Sequence, residues 1–109
     1  MKHEKWEVLF LNDKVEDEFL SLKPDLKAHY WHIIDLVKEF GLISIGVPHI
    51  KPLGNKLWEI RLKGKDDIAR AIYTTIIGKR IVILHVFVKK TQKTPRLAIE
   101  LALKRMKEL

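Results

Sequence analysis

The sequence predicts an α+β domain of element order β-α-α-β-β-β-α, a mostly antiparallel sheet with an N-terminal helical hairpin on one face and a C-terminal helix. Three observations predict it. Apolar residues recur with a helical period between positions 15 and 40, and again between 97 and 106. Between 57 and 88 they alternate with polar residues or run in β-branched blocks. Glycine and proline punctuate the boundaries. At 109 residues and 47% hydrophobic, the chain has the size and apolar content for a single domain, 1–109, with a true core.

Trp6 to Leu11 is a short strand-like run of aromatic and apolar residues, stopped by Asn12-Asp13. Asp13 and Glu16 have capping-box spacing, so a helix is expected to start there, with Val15, Phe19 and Leu22 on its apolar side. Pro24 ends that helix and can open the next, where Asp25 sits favourably at the positive end of the dipole. Leu26, Tyr30, Ile33, Ile34, Val37 and Phe40 form its apolar stripe, and Gly41 is a natural C-cap. Residues 42–56, with Gly46, Pro48, Pro52 and Gly54, read as an irregular connection.

Leu57–Lys63 alternates Trp58, Ile60 and Leu62 against Glu59, Arg61 and Lys63, as a strand with one polar face does. Ile68–Ile77 is a β-branched strand, and Gly78-Lys79 suits a two-residue type II′ turn. Arg80–Val88 is almost wholly apolar and therefore expected in the sheet interior. Thr94 and Pro95 suit an N-cap and a first helical residue. A helix follows with Leu97, Ala98, Leu101, Ala102 and Met106 inward and Arg96, Lys104 and Lys107 outward. Trp31 and Trp58 lie on apolar stripes and are expected in the core.

The net charge of +7 is unevenly spread. Residues 1–40 carry 6 cations and 9 anions, residues 41–78 carry 6 and 3, and residues 79–109 carry 9 and 2. Everything after Gly41 therefore sums to +10, which implies a basic face and an anionic partner. There is no apolar run of the ~18 residues that a membrane helix needs. Met1 leads straight into a strand without an apolar leader, so a cytoplasmic protein with no membrane contact is expected. With no cysteine, disulfides, thiolate zinc sites and cysteine catalysis are excluded.

His29 and His32 are spaced i, i+3 but have no third ligand fixed beside them, so no metal is expected. No glycine-rich phosphate loop, nucleophile elbow or paired carboxylates appear, and no small-molecule cofactor is expected. Chemistry is thus left to cations, a histidine, hydroxyls or the substrate itself. Arg61 and Lys63 on one strand, Arg70 on the next, and Lys89, Lys90 and Lys93 beyond the last can converge on a phosphate-binding groove. Lysines at strand ends also deter edge pairing, which accounts for Lys63, Lys65 and Lys79 without any ligand. His85, within Ile83-Leu84-His85-Val86-Phe87, is open to two readings, a hydrogen-bonded core residue or a proton carrier. Tyr73 can stack on a base or donate to a phosphate.

Leu57-Trp58-Glu59-Ile60-Arg61, Ala69-Arg70-Ala71-Ile72-Tyr73 and the run from Ile83 through Phe87-Val88-Lys89-Lys90-Thr91-Gln92-Lys93-Thr94-Pro95 resemble the phage-derived, HigB-like branch of the RelE/ParE toxin superfamily. The resemblance covers residues 6–108 in element order and 57–95 in motif. It implies a RelE-like small domain, the toxin of a type II toxin–antitoxin system, with a helix-turn-helix antitoxin as partner. The implied activity is that of an mRNA interferase cutting messages on the ribosome, in contact with ribosomal RNA. The RNA 2′-hydroxyl attacks the neighbouring phosphate, so the protein supplies positioning and charge. Arg61 and Arg70 match residues that hold the phosphate, and Lys89 and Lys90 match the basic end of the last strand. A C-terminal tyrosine and a His-Asp-His arrangement known in the superfamily are absent, which leaves His85 and Tyr73 as acid–base candidates. Lys63, Tyr73, Thr91, Gln92, Lys93 and Arg96 complete the expected RNA-binding set. The alternatives are a ParE-like gyrase inhibitor of the same fold and a non-catalytic antitoxin-binding domain.

Overall fold

A computed structural model describes residues 6–42, 49–90 and 93–109. The elements are β1 (Glu7–Phe10), α1 (Asp13–Leu20), α2 (Pro24–Phe40), β2 (Ile50–Gly54), β3 (Leu57–Lys63), β4 (Ile68–Ile76), β5 (Arg80–Val88) and α3 (Arg96–Met106). The five strands form one sheet in the order β1-β5-β4-β3-β2. All neighbours are antiparallel except β1, which pairs in parallel with β5. The expected α+β class and mostly antiparallel sheet are therefore present, with one strand more than the sequence suggested.

That extra strand is β2, in the segment read as irregular. Proline cannot donate to a ladder, which is why Pro52 argued against a strand; at a sheet edge, however, its missing N–H faces no partner strand. Asn55 and Lys56, at φ 53° and 64°, join β2 to β3 as a two-residue turn whose doubly positive φ matches type I′. The turn between β4 and β5 also differs from expectation. Ile76 pairs with Arg80, leaving three residues between, and Lys79 (φ 58°) shares the positive φ of Gly78 (φ 90°), which type II′ does not require.

The helical hairpin covers one sheet face. Val15, Phe19, Leu26, Tyr30, Ile33 and Val37 are buried against Ile60, Leu62, Ala69, Ala71, Ile81 and Ile83. Each fully buried large side chain contributes about 1.5–3 kcal/mol. Two expectations at the hairpin are corrected. The N-cap of α1 is Asn12, whose extended backbone lets Oδ1 accept the Val15 N–H at 3.1 Å, while Asp13 is the first helical residue. Trp31 and Phe40 are 48% and 63% exposed, because Trp31 is one position round the helix from Tyr30 and Phe40 lies in the last turn. Trp58 is half-buried and stacks on Tyr73 at 5.9 Å. Gly41 caps α2 at φ 87°, its N–H donating to the Val37 carbonyl at 2.8 Å. The start of α2 is tied to the β3–β4 turn by Asp25, which accepts the Lys65 N–H at 2.6 Å, and by a Lys23–Asp67 pair at 2.9 Å.

On the other face α3 rests Ala98 and Ala102 on Leu57, Ile72, Val82 and Leu84. Small residues at the contact allow close approach. Because α3 covers only part of this face, Arg61 and Lys63 of β3, and Lys89 just after β5, keep part of their surface exposed.

Candidate nucleic-acid interface

Pairing register fixes which side chains share the partly covered face. Arg61 of β3 lies opposite Arg70 of β4, and Arg70 lies opposite Phe87 of β5. Two residues along, Glu59 pairs with Ile72, and Ile72 with His85. At the other end Lys63 pairs with Ile68, whose carbonyl accepts the Lys89 N–H at 2.7 Å. Strand alternation then puts Arg61, Lys63, Arg70, Phe87 and Lys89 on one side. Lys51 of β2, opposite Glu59, joins them from the edge strand.

Electrostatics registers this convergence. Desolvation, then the positive charges of Arg70, Arg61 and Lys51, lower the Lys89 ammonium below the ordinary lysine range, opposed by the Glu59 carboxylate. Arg61 is half-buried and has no ion-pair partner among the described residues; its Nε is buried and without a hydrogen bond. A half-buried guanidinium with no counter-ion among the described residues leaves its charge available to an anion, so Arg61 can take a phosphate.

Arg70 occupies a different position. It is fully buried, ion-paired with Glu59 and bonded to the Thr94 hydroxyl at 2.5 Å, and that hydroxyl in turn donates to Glu59. The three side chains close a buried polar cluster that anchors the chain entering α3. Arg70 therefore supports the surface and is not itself presented on it. The same cluster corrects the expected helix cap: Thr94 turns inward to Glu59 and Arg70, and the residue at the cap position is Pro95.

Of the remaining expected residues, Lys63, Lys90, Lys93 and Arg96 are exposed, Lys90 just beyond the end of β5 and Arg96 as the first residue of α3. Thr91 and Gln92 lie outside the described residues. Tyr73 is corrected: it is fully buried on the helical-hairpin face, its hydroxyl has no hydrogen-bond partner among the described residues, and burial pushes its pKa up. A phenol on that side of the sheet can neither stack on a base nor reach a phosphate bound at Arg61.

His85 owes its orientation to a β-bulge. Ile72 pairs with His85 and Tyr73 with Ile83, so Leu84 is an extra residue in β5. Without it, alternation from Leu84 would aim His85 into the hairpin core; with it, His85 and Phe87 share the partly covered face, rings stacked at 4.9 Å. The His85 Nδ1 is 2.9 Å from Glu18 Oε1. Glu18 also accepts the Val86 N–H at 3.0 Å and pairs with Arg105, whose guanidinium donates to the Leu84 carbonyl at 2.9 Å. Burial alone would raise the Glu18 pKa, but hydrogen bonds from Arg105, His85 and Val86 together hold the carboxyl below its usual range.

Lys51, Glu18 and Arg105 were missed in the sequence reading. Lys51 sat in a segment not recognised as a strand. Arg105 did leave a signal: with Ala98 and Ala102 it completes an i, i+4, i+7 inward stripe, where a charged residue implies a buried partner. For Glu18 there was none, because its contacts come from β5 and α3.

His29 Nδ1 accepts the Lys63 N–H at 2.7 Å, and its ring centroid lies 5.7 Å from that of His49 and 6.5 Å from that of His32. No grouping that could hold a metal ion occurs among the described residues. No helix among them is long and apolar enough to cross a membrane.

The family described as "Phage derived protein Gp49-like" matches residues 17–107. Among solved structures, a chain of the archaeal RelE–RelB complex from Pyrococcus horikoshii OT3 superposes with a TM-score of 0.53 at 20% identity, covering 77% of this chain and 94% of that one. At that identity the likeness establishes the fold. No curated protein matches.

Proposed function

Since the chain belongs to the phage-derived Gp49-like family and has a RelE-like fold, we propose that it is the toxin of a toxin–antitoxin pair, acting as a ribosome-dependent mRNA endoribonuclease. The observation that carries this reading is the convergence of Lys89 and Lys51 on a half-buried Arg61 that has no ion-pair partner among the described residues. Such a site fits a ribose-phosphate backbone. Arg61 offers donors to the phosphate oxygens and Lys89 a mobile charge beside them. Phe87, half-buried in the same row, offers a ring for a base to stack on.

In the reaction the 2′-oxygen of the RNA forms a bond to the adjacent phosphorus and its proton passes to His85. The bond from phosphorus to the 5′-oxygen breaks, and that oxygen leaves with the electron pair and takes a proton from solvent. The products are a 2′,3′-cyclic phosphate and a 5′-hydroxyl. Arg61 and Lys89 stabilise the charge that builds on the phosphoryl oxygens. Lys63, Lys90, Lys93 and Arg96 extend the positive surface to flanking phosphates and ribosomal RNA. Arg70 positions this surface from below through Glu59 and Thr94. The partner is a small helix-turn-helix antitoxin whose acidic or amphipathic segment masks the cationic face. The complex of the archaeal RelE with RelB supports an antitoxin partner.

Induced expression in bacteria tests the proposal. Translation should stop and primer extension should show new 5′ ends inside reading frames. An Arg61→Ala/Lys89→Ala double variant should allow growth. Intact messages in arrested wild-type cells, particularly alongside a DNA-damage response, refute the endoribonuclease activity.

A further inference from the structure

The environment of His85 carries an inference that rests on the endoribonuclease reading and adds residues to it. Nδ1 of His85 faces Glu18 Oε1 at 2.9 Å, and it lies 3.5 Å from the nearest Arg105 nitrogen. A carboxylate accepts but cannot donate, so the shorter contact requires a proton on Nδ1. Glu18 is itself committed to that state. Its two oxygens take donors from the Arg105 guanidinium at 3.0 and 2.9 Å and from the Val86 N–H at 3.0 Å, an environment suited to an anion and not to a carboxylic acid. With Nδ1 thus occupied, a neutral imidazole carries its lone pair on Nε2. Among the described residues Nε2 has no hydrogen-bond partner, and it is not one of the buried unpartnered atoms.

The arrangement is assembled from three elements. β1 leaves β5 after Phe10 pairs with Ile83, so among the described residues the edge of β5 beyond that point has backbone groups with no strand beside them. Glu18 from α1 takes the Val86 N–H there, and Arg105 from α3 takes the Leu84 carbonyl. Both residues flank the bulge that turns His85 toward the open face. A contact serving only to close the sheet edge would not need a carboxylate also set in line with Nδ1.

We propose that Glu18 is a positioning residue that holds His85 in the Nδ1–H tautomer, leaving Nε2 as the proton acceptor for the RNA 2′-hydroxyl, and that Arg105 fixes Glu18 for this task. Among the described residues, the charged and titratable groups in contact with the ring are Glu18 from α1 and Arg105 from α3.

The test is a ring-nitrogen spectrum of the isotope-labelled full-length chain, with His85 assigned by a His85→Gln variant. The wild type should show the neutral His85 ring protonated on Nδ1 and bare on Nε2. Glu18→Gln, checked for folding by circular dichroism, should shift His85 toward the Nε2–H form. The same variant should cut messages with kcat lowered on the order of 10²-fold and little change in KM, the range lost with a general base. A wild-type His85 with its proton on Nε2 overturns the proposal and needs no variant to do so. A folded Glu18→Gln chain that keeps both tautomer and kcat also overturns it. A wild type with the expected tautomer that leaves ribosome-bound messages intact refutes the endoribonuclease reading instead, and removes the catalytic role while leaving the pairing of Glu18 with His85 standing.

Discussion

Removing Arg70 should damage the protein through its stability, and the size of the effect follows from burial. Arg70 and Glu59 are 0% and 1% exposed, and both engage Thr94. Taking one partner from a buried ion pair leaves an uncompensated charge and costs about 3–5 kcal/mol. A domain of this size holds about 5–15 kcal/mol in all. Arg70→Met is therefore expected to lose about a fifth or more of the total, lowering Tm by roughly 12–20 °C. Replacing both charges, Arg70→Met with Glu59→Leu, removes the orphaned carboxylate together with its partner. That double variant should recover most of the decrease in Tm, because well-packed apolar groups often replace a buried pair at little cost. Thermal and urea denaturation of the two variants, followed by circular dichroism, measures both. A single variant destabilised by less than ~1 kcal/mol, as an exposed pair would be, refutes the claim that this cluster is desolvated. Equal destabilisation in the single and double variants refutes the claim that an orphaned charge is the cause.

Four further outcomes are expected. Tyr73→Phe deletes a buried hydroxyl with no partner among the described residues, so urea denaturation should show stability unchanged or raised by up to about 1 kcal/mol, with message cleavage retained. Asn12→Ala should cost about 1 kcal/mol in the same assay, whereas Asp13→Ala, which removes no cap, should cost clearly less. Arg61→Ala should weaken RNA binding and reduce the slope of log affinity against log salt by about 0.7 for each phosphate that is no longer neutralised, as read by titration at several salt concentrations. Glu18 has a folded pKa below the ordinary 4.5, so its contribution is fully present above that value and disappears as pH falls through the lowered one. The stability gap between wild type and Glu18→Gln should accordingly be wide at pH 7 and shrink in denaturation at pH 3.

Much of this protein was already fixed by local pattern. The 3.6-residue stripe from Leu26 to Val37 needed only its own spacing to become α2, and Gly41 ended it where a positive φ was required. The alternation of Leu57–Lys63 likewise settled which of its side chains would face the helical hairpin and which would carry charge. The accumulation of cations after Gly41 already implied an anionic partner. Such features are legible because they depend on residues a few positions apart.

What tertiary structure alone decided involves groups distant in sequence. Whether Pro52 could lie in a strand depended on that strand's place at the sheet edge. Thr94 has the chemistry of a helix cap, yet buried Glu59 and Arg70 competed for its hydroxyl and held it. Arg61 and Arg70 look alike in the sequence and face each other across two strands, but Arg70 is fully buried in an ion pair with Glu59, whereas Arg61 is only half-buried and has no ion-pair partner among the described residues. The direction of His85 turns on Leu84 being one residue too many for the β4–β5 register, and its partner Glu18 comes from a helix 67 positions away. Period determines the elements; register and burial, which belong to the assembled sheet, determine what each charged side chain is able to do.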